Sequence, residues 1–414
     1  MSNNSILVVG GGFSGITAAL EAAELGHEVY IIETNPYLGG RVAQLKQYFP
    51  KLCPPSCGLE IQFQRIKNNP RVHTYTMADV ESVSGSPGNY TVKVNQRPRY
   101  VNAKCTACGE CEKAAETSVS SEFEFGLVTR KAAYRTHLFA FPMRYTLDAE
   151  ACERPELEKI QAACPYDAID LDDKPKSFEL TVGSVVWATG WKPYDASNLT
   201  TLGGGKLANV VTNMQFERLA APTGPTNGQI LRPSDKAEPR SIAFVQCAGS
   251  RDQNHLNYCS YICCMASLKH VRYLREQYPD ARIVIYYIDL RTPGRYDKFK
   301  SLTVDDPRLK LVKGKVAEIV EDAATKDAIV TVEDAVTGIK SDERYDMVVL
   351  ATGMQPSVAG QKLPAGMTAD EEGFVSGESG IVAAGCAKLP LDVMKSAQSG
   401  TAAALKAIQT VVGR

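Results

Sequence analysis

The sequence predicts an α/β protein made of two nucleotide-binding-type domains, one inserted into the other, with a smaller cysteine-containing insert. Three observations predict this organisation: a strand, glycine turn and helix at the N-terminus, two later strands that each end in Ala-Thr-Gly, and two groups of cysteines. A chain of 414 residues with 44% hydrophobic residues is long enough to bury the cores of two or three domains.

Composition narrows the class of function. A formal net charge of -1, without long basic or acidic runs, argues against general binding to nucleic acid or to a membrane surface. No apolar run reaches the roughly 18 residues of a membrane span, and the first residues lead straight into a strand, so we expect no direct membrane span and a cytoplasmic location. In a long chain of this kind, 12 cysteines indicate metal clusters or redox chemistry rather than disulfides.

The N-terminal segment predicts a dinucleotide site. Residues 6–9, Ile-Leu-Val-Val, form an apolar strand that runs into a glycine-rich turn and then an alanine-rich helix. The glycines permit a tight turn, close approach of the backbone to a pyrophosphate, and close packing of helix on strand. The next strand ends about 20 residues later in an acidic residue, where a carboxylate would bind a ribose hydroxyl. The predicted contacts are Gly10, Gly12, Phe13, Ser14, Gly15 and Glu33.

Further motifs favour FAD as the dinucleotide. Residues 38–41, Leu-Gly-Gly-Arg, resemble the flavoprotein extension that wraps the FAD pyrophosphate, with Gly40 and Arg41 as contacts. The segments 185–190 and 348–353 each end in Ala-Thr-Gly. They resemble the strands at which two-dinucleotide-binding-domain flavoproteins pass between the FAD domain and the inserted domain. We therefore expect these additional residues to contact FAD: Ala188, Thr189, Gly190 and Gly353.

The last FAD motif is altered. Residues 380–385 resemble the C-terminal flavoprotein motif, in which a glycine is followed by an aspartate that bonds the ribityl chain. In this sequence Gly385 is followed by Cys386, whose sulfur is a weak acceptor, so we expect contact at this turn without the aspartate bond. The motifs together predict the following domains: FAD-binding parts at 1–100, 176–235 and 346–414, a ferredoxin-like insert at 101–175, and a second Rossmann-like domain at 236–345.

The second domain lacks the glycines of a nicotinamide site. The strand at 240–246 is followed by Cys-Ala-Gly-Ser-Arg, with one glycine in the turn, which disfavours NAD(P)H. Four cysteines take its place and suffice to ligate an iron–sulfur cluster. Zinc, which four thiolates also suit, and buried cysteines without a ligand are the other interpretations. The predicted ligands are Cys247, Cys259, Cys263 and Cys264.

The insert retains part of a bacterial ferredoxin pattern. Its opening run has cysteines at the ferredoxin spacing, but Ala115 stands where the fourth cysteine belongs, and the second run keeps only Cys152 and a Cys-Pro at its close. In two-cluster ferredoxins the fourth cysteine of each run ligates the other cluster, so one complete set remains. That set is Cys105, Cys108, Cys111 and Cys164. A relic fold held by packing alone is the alternative interpretation.

Cys53 and Cys57 are not placed as a redox disulfide. Disulfide-reducing flavoenzymes of this fold carry their cysteines directly after the Gly-Gly pair, and this sequence does not. Metal binding and a position facing the flavin both remain open for this pair.

The combination of these motifs with residues 245–251 and 259–265, Val-Gln-Cys-Ala-Gly-Ser-Arg and Cys-Ser-Tyr-Ile-Cys-Cys-Met, resembles the A subunit of heterodisulfide reductase over nearly the whole chain. The resemblance implies that the cysteines between 247 and 264 hold a 4Fe-4S cluster beside the flavin. The depleted insert and the end shortly after the last FAD motif are similar to the A subunit of the quinone-interacting membrane-bound oxidoreductase complex of sulfate reducers.

That second resemblance implies partners as well as cofactors. They are a haem-bearing membrane subunit, which places the complex at the inner face of the membrane, and a sister flavoprotein/iron–sulfur subunit. Electrons would pass between the quinone pool and adenylylsulfate reductase. We expect an oxidoreductase with FAD and one or two 4Fe-4S clusters, and no side chain as general acid or base. The alternatives are an electron-bifurcating heterodisulfide reductase-type flavoprotein, an NAD(P)H-dependent reductase and a zinc-stabilised scaffold.

Overall fold

The computed structural model describes residues 3–378 and 380–413 and divides the chain into two compact units. Unit 1 comprises Met1–Trp191 and Pro356–Arg414, and unit 2 comprises Lys192–Gln355. The chain therefore passes between the units twice. The short strands at the two crossings, Trp191–Pro193 and Met354–Pro356, pair with each other.

The described residues form the following helices and strands, numbered in chain order. The α-helices are α1 (Phe13–Glu24), α2 (Pro55–Asn68), α3 (Glu110–Ala114), α4 (Arg154–Ala162), α5 (Asn213–Ala220), α6 (Cys263–Gln277), α7 (Asp297–Val304) and α8 (Val393–Val411). The strands are β1 (Ser5–Val9), β2 (Glu28–Glu33), β3 (Val72–Thr76), β4 (Ala78–Ser86), β5 (Asn89–Gln96), β6 (Ser118–Ser120), β7 (Thr129–Lys131), β8 (Ala133–Tyr134), β9 (Thr146–Leu147), β10 (Lys176–Val182), β11 (Ser184–Trp187), β12 (Trp191–Pro193), β13 (Val210–Thr212), β14 (Ser241–Ala248), β15 (Arg282–Tyr287), β16 (Leu309–Lys313), β17 (Val316–Glu321), β18 (Ala328–Glu333), β19 (Lys340–Tyr345), β20 (Met347–Thr352), β21 (Met354–Pro356), β22 (Met367–Ala369), β23 (Val375–Gly377) and β24 (Ile381–Ala383).

Unit 1 is built on a five-stranded parallel sheet in the order β24-β11-β1-β2-β3. Successive side chains of a strand point to opposite faces. Ile6 and Val8 of β1 accordingly join the core formed with α1 and α8, whereas Leu7 and Val9 join the core formed with the antiparallel sheet β10-β5-β4. The parallel sheet is thus covered on both faces, which explains why its strands are apolar throughout.

The predicted insert has a small core of its own within unit 1. Buried Val101, Tyr145 and Ile160 pack there, with the cysteines of the insert at the margin. A second part of the insert joins the main core, because Phe123 and Ala140 pack with the residues of β1 and α1.

Unit 2 repeats the layer order of unit 1. Its five-stranded parallel sheet has the order β13-β20-β14-β15-β16, with α5 and α6 on one face and the antiparallel sheet β17-β18-β19 on the other. The predicted boundary at 236 is wrong, because residues 192–235 belong to this unit rather than to the FAD-binding part. The cause is strand β13, which pairs in parallel with β20 as the edge of the unit 2 sheet.

Candidate functional site

The predicted glycine turn of unit 1 has the close packing that a pyrophosphate site needs. Gly10 has φ +103, and a Cβ atom on it would lie 2.3 Å from the carbonyl oxygen of Ala188. A Cβ atom on Gly15 would lie 1.9 Å from the Gly10 oxygen, so only glycine lets α1 approach β1 this closely. Helix α1 begins at Phe13 after Gly12, which has no side chain to cap the first N–H groups. The helix N-terminus can therefore donate to an anion.

A cleft in unit 1 collects most of the predicted FAD residues. The residues that line it are Gly10, Gly12, Phe13, Ser14, Glu33, Asn35, Tyr37, Gly40, Arg41, Val42, Ala188, Thr189, Gly190, Trp191, Ser357, Cys386, Leu391, Val393 and Ser396. Glycines 12 and 40 face each other, because a Cβ atom on Gly40 would lie 3.0 Å from the Gly12 Cα. The glycine turn before α1 and the Gly-Gly pair at 39–40, predicted from separate motifs, thus lie side by side in one cleft.

The polar groups of the cleft fit an anionic dinucleotide. Thr189 Oγ1 is buried in its wall with no hydrogen-bond partner among residues 3–378 and 380–413. Burial lowers the pKa of the Arg41 guanidinium, whose side chain donates to Gln44 Oε1 at 3.0 Å and lies 5.6 Å from the centre of the Phe125 ring. A partly desolvated cation and a bonding hydroxyl without a partner are suited to FAD phosphates and hydroxyls.

Glu33 lies at the end of β2, as predicted, and is already bonded to the backbone. Its carboxylate accepts the N–H groups of Gly11 at 2.7 Å and Asn35 at 2.8 Å. Burial raises the pKa of Glu33, and these two N–H groups oppose that increase. Each carboxylate oxygen has two lone pairs, so the bonds fix the carboxylate while leaving it able to accept from a ribose hydroxyl.

The C-terminal motif places Cys386 in the cleft wall. Its sulfur lies 3.5 Å from the Leu391 carbonyl oxygen and 3.6 Å from Ser396 Oγ, and burial raises its pKa. Asp392, which caps α8 through Oδ1 to the Lys395 N–H at 2.8 Å, is buried beside it. Its second oxygen, Oδ2, has no hydrogen-bond partner in the described ranges. A carboxylate oxygen therefore stands near the position from which the motif's aspartate is missing.

Three predicted FAD residues do not line the cleft. Gly15 and Gly385 instead pack against residues that line it. A Cβ atom on Gly15 would lie 1.9 Å from the Gly10 oxygen, and one on Gly385 would lie 2.3 Å from Ser14 Oγ. Gly353 lies in unit 2, packed against Ser250 and Ser260, because the second Ala-Thr-Gly ends a strand of that unit. Its contact with FAD stays a prediction.

Sequence reasoning missed several cleft residues. Trp191 directly follows the first Ala-Thr-Gly, and that adjacency is the signal that would have identified it. The remaining residues, which no motif marks, are Asn35, Tyr37, Val42, Ser357, Leu391, Val393 and Ser396.

The four predicted cysteines of unit 2 line one cavity. Cys247 is the next-to-last residue of β14, Cys263 and Cys264 begin α6, and Cys259 lies in the intervening loop. Burial raises the pKa of Cys264 to about 11, and Cys247 and Cys259 add to the increase. The remaining residues that line the cavity are Ser250, Arg251, Ser260, Tyr261, Asp289 and Arg291.

Hydrogen-bond donors point at the sulfurs of this cavity. The Tyr261 N–H lies 3.4 Å from Cys259 Sγ, Arg291 bonds the same thiol, and Arg251 bonds Cys247. Arg251 and Arg291 are held together by Asp289, which pairs with both. Cationic and N–H donors stabilise sulfur that carries negative charge, as ligand thiolates do.

The turn after β14 differs from the glycine turn of unit 1. Gly249 has φ +73, and a Cβ atom on it would lie 2.6 Å from the Tyr194 ring, which fills the space beside the turn. Helix α6 starts only at Cys263, after an irregular loop, so its N-terminus presents cysteines. The absence of an NAD(P)H site in unit 2 stays a prediction.

The four predicted cysteines of the insert also line a single cavity. Cys105 and Cys108 lie in the loop that leads into α3, Cys111 lies in α3 itself, and Cys164 follows α4. The N–H groups of Ala107 and Ala168 lie 3.4 Å from Cys105 Sγ and Cys164 Sγ, respectively. Burial raises the pKa of Cys111 to about 12, and the neighbouring Cys105 thiol makes the second-largest contribution to this increase.

Both cysteine loops hold unusual backbone conformations. Non-glycine residues with positive φ occur at Ala107 and Asp167 in the insert, and at Cys247, Arg251 and Tyr261 in unit 2. Such conformations cost about 1 kcal/mol or more each and concentrate at functional sites. In this chain they turn N–H groups and thiols toward the two cavities.

The other cysteines lie elsewhere. Cys53 and Cys57 flank the start of α2 near Tyr48 and line neither the FAD cleft nor a cysteine cavity. Cys152 packs at the margin of the insert core. Within residues 3–378 and 380–413, no group of three or more His, Cys, Asp or Glu residues is arranged to hold a single metal ion. Over the same ranges, no helix has the length and apolar character needed to cross a membrane.

Comparison with known proteins agrees with the fold and the cleft. Residues 5–53 match a family model described as FAD dependent oxidoreductase. The fold is similar to thioredoxin reductase from T. acidophilum, with a TM-score of 0.54, 14% identity, and coverage of 99% of this chain and 97% of that chain. It is also similar to bacillithiol disulfide reductase from Bacillus cereus, with a TM-score of 0.53, 14% identity and 99% coverage of both chains.

These features define an FAD-dependent oxidoreductase with two Rossmann-like domains, as predicted. Within that class, the chain is similar to one of the iron–sulfur A subunits of CoB–CoM heterodisulfide reductase from Methanopyrus kandleri, at 38% identity over 97% of this chain and 63% of the relative. It is 36% identical to the iron–sulfur A subunit of CoB–CoM heterodisulfide reductase from Methanocaldococcus jannaschii over 100% of this chain and 65% of the relative.

The similarity to the A subunit of heterodisulfide reductase is thus confirmed across the chain. The chain spans 53% to 65% of the length of such relatives. The finer resemblance to the quinone-interacting complex stays a prediction.

Proposed function

We propose that the chain is an electron-transfer flavoprotein of the heterodisulfide reductase A-subunit type, with FAD and iron–sulfur clusters. The observation that carries the proposal is the convergence of two separate sets of four cysteines on two cavities, together with an FAD cleft in the same chain. When bound, FAD exchanges electrons in pairs or singly, and 4Fe-4S clusters carry single electrons.

The residues of the FAD cleft would hold the dinucleotide. Gly10, Gly12 and Gly40 admit its pyrophosphate to the N-terminus of α1, and Arg41 offsets the phosphate charge. Glu33 holds a ribose hydroxyl.

The cysteine sets would hold one 4Fe-4S cluster each. Cys247, Cys259, Cys263 and Cys264 form the unit 2 site, and Cys105, Cys108, Cys111 and Cys164 form the insert site. No side chain is required as a general acid or base, because the chain's task is to bind, space and electrostatically tune the groups.

The finer proposal concerns the assembly. The chain would work in the cytoplasm, at the inner face of the membrane, where a haem-bearing membrane subunit, joined by a sister flavoprotein/iron–sulfur subunit, would hold it. There it would pass electrons between the quinone pool and adenylylsulfate reductase. The depleted insert supports this version of the family over the full-length form.

A second candidate function is electron bifurcation. One relative, from Methanothermobacter marburgensis, is named as the A subunit of an H(2):CoB–CoM heterodisulfide,ferredoxin reductase, and this chain is 33% identical to it. That name pairs two electron acceptors. Widely separated one-electron reduction potentials of the bound flavin would favour this candidate, whereas closely spaced potentials favour simple electron transfer.

The deciding experiment is quantification of iron, sulfide and flavin in anaerobically purified protein. Two 4Fe-4S clusters give about eight iron and eight sulfide per FAD. About four of each indicates one cluster, and protein with FAD but neither iron nor sulfide contradicts the proposal. Stoichiometric zinc without sulfide would instead support a scaffold role.

A further inference from the structure

A basic cavity in unit 1 lies apart from the FAD cleft. It is bounded by residues of β3, by the ends of β5 and β10 and by the insert, and has a volume of about 320 Å³. Its walls carry more positive than negative side chains. The basic residues are Arg97, Arg99, Arg144, Lys174 and Lys176, and the acidic ones are Asp170 and Asp173.

The acidic groups of this cavity serve mainly the backbone. Asp173 Oδ2 accepts the N–H groups of Arg99 at 3.2 Å and Tyr100 at 3.4 Å, and Asp170 Oδ1 accepts the N–H of Asp172 at 3.0 Å. The contact of Lys176 with Asp173, at 3.5 Å, involves a largely exposed lysine and contributes little. Neither carboxylate neutralises an arginine of the cavity.

Two of the three arginines that line this cavity, Arg99 and Arg144, differ in their hydrogen-bond partners. Arg99 is buried and donates to Pro36 O at 2.6 Å, Thr76 Oγ1 at 2.7 Å and Thr146 Oγ1 at 2.8 Å. The half-buried Arg144 guanidinium has no hydrogen-bond or ion-pair partner among residues 3–378 and 380–413.

The guanidinium groups of Arg99 and Arg144 place two positive charges in one cavity. Burial, together with the charge of Arg144, lowers the pKa of Arg99 to about 10, and burial also lowers the pKa of Arg144. Two desolvated cations in one concave space are unfavourable unless a negative group lies between them.

We propose that this cavity binds a compact phosphate-type oxyanion, with Arg144 as its main contact and Lys174 at the rim. A guanidinium fork matches two oxygens of a tetrahedral oxyanion, which a single point charge does not. A cavity of about 320 Å³ suits a small ligand, and its walls are mainly polar. Free phosphate and a phosphorylated small molecule share this chemistry.

The oxyanion site adjoins the cysteine set of the insert. Val101 lines both cavities, and Arg144 precedes Tyr145, which lines the cysteine cavity. The coupling of this site to redox chemistry rests on the proposed insert cluster. An anion bound at Arg144 would offset the positive charge beside Cys105 and disfavour reduction of that cluster. By linkage, the oxidised protein binds the oxyanion more tightly than the reduced protein.

Isothermal titration calorimetry of the intact FAD-bound protein at low salt, with inorganic phosphate, pyrophosphate and sulfate, tests the binding site. Arg144→Gln should weaken binding at least about tenfold, since a charge-assisted bidentate contact is lost. Lys174→Gln, at an exposed position that folding does not need, should weaken it less. Arg154→Gln, which removes an exposed charge elsewhere in the insert, should not change it. No binding to the unaltered protein, or equal binding to Arg144→Gln, overturns the site.

A redox titration followed by electron paramagnetic resonance tests the coupling. Saturating pyrophosphate should lower the potential of the insert cluster in the unaltered protein and leave it unchanged in Arg144→Gln. Binding without a shift in potential overturns the coupling but not the site. If the anaerobically purified protein holds no insert cluster but still binds the anion, the missing cluster contradicts the proposed function, and the oxyanion site stands.

Discussion

Asp392 provides the carboxylate nearest to the altered FAD motif at Cys386. One oxygen caps α8, and the other has no partner in the described ranges. Its neighbours Leu391 and Val393 line the cleft. Asp392 thus caps the helix and, within the described ranges, keeps one oxygen unpaired beside residues that line the cleft.

Substitutions at Asp392 separate these two tasks. Asp392→Ser keeps a capping oxygen but removes the second one, so we expect weaker FAD retention with little loss of stability. Asp392→Ala should also lose the cap, at a cost of about 1 kcal/mol. Ultrafiltration of the flavin and urea denaturation measure the two effects. Unchanged FAD affinity in the serine variant would assign Asp392 to capping alone.

Single cysteine substitutions test the two ligand sets. Cys263→Ala should remove the iron and the spectroscopic signal of the unit 2 cluster only. Cys108→Ala and Cys164→Ala should remove one and the same signal, because both thiols line the insert cavity. Iron analysis and electron paramagnetic resonance report the losses, and Cys57→Ala, outside both cavities, is the control. Two distinguishable losses from Cys108→Ala and Cys164→Ala would refute the shared site.

Arg291 should tune the unit 2 cluster. Its positive charge and its bond to Cys259 favour the more negative, reduced state of an iron–sulfur centre. Arg291→Gln should therefore lower the reduction potential in an anaerobic redox titration. Arg308→Gln, which removes an exposed arginine of the same unit paired with Asp280, is the matched control. An unaltered potential would show that the arginine acts on Asp289 alone.

Helices α5 and α6 are joined by a buried ionic group behind the unit 2 cysteines. Lys269 Nζ and His270 Nε2 each lie 2.7 Å from Glu217 Oε1. Burial would raise the pKa of Glu217, but the two cationic partners outweigh it and lower the pKa to about 2. The folded-state pKa is thus below the ordinary value, so the stabilisation is present above about pH 4.5 and is lost as pH falls toward 2.

Glu217→Gln tests this group. At pH 7 it should destabilise the α5–α6 pair by about 3–5 kcal/mol, because Lys269 keeps a buried charge without its partner. Hydrogen exchange of α6 should show reduced protection at pH 7, and the loss of protection below pH 4.5 expected for the unaltered chain should be smaller. The exposed Glu318→Gln should behave as the unaltered chain does.

The element scale also shows where sequence reasoning succeeds and where it fails. Strand β1, its glycine turn and α1 are predictable because the signals are local: apolar residues, glycines and an alanine-rich helix. The unit that contains Gly353 is not predictable from its motif, because an Ala-Thr-Gly at a strand end looks the same in either unit. Only the pairing of β20 with β14 decides which unit owns it.

At the scale of the whole chain, the missing nucleotide turn predicts that reduced nicotinamides are not donors. We expect NADH and NADPH to leave the absorbance of bound FAD unchanged under anaerobic conditions, whereas dithionite bleaches it. Tyr194, which occupies the space beside Gly249, is the structural reason. Stoichiometric bleaching by either nucleotide without a partner protein would contradict this expectation.

The grouping of the cysteines into two cavities could be predicted because their spacing survives in the sequence even where a motif is depleted. The walls of the FAD cleft could not, since Asn35, Trp191 and Ser357 come together only through folding of distant segments. The basic cavity escapes sequence reasoning for the same reason: Arg144 and Lys174 belong to no motif, and only the folding of the insert brings them to one cavity.

In both units the Ala-Thr-Gly strand lies beside the strand that leads into the first turn, β11 beside β1 and β20 beside β14. The edge strands differ, because β24 comes late in the chain of unit 1 and β13 comes first in unit 2. In unit 1, glycines occupy the turn after β1 and the start of α1. In unit 2, Cys247 lies near the end of β14, and Cys263 and Cys264 occupy the start of α6. The position that would meet a phosphate group in unit 1 would thus meet thiolate ligands of the proposed cluster in unit 2, although the supporting sheet is built alike.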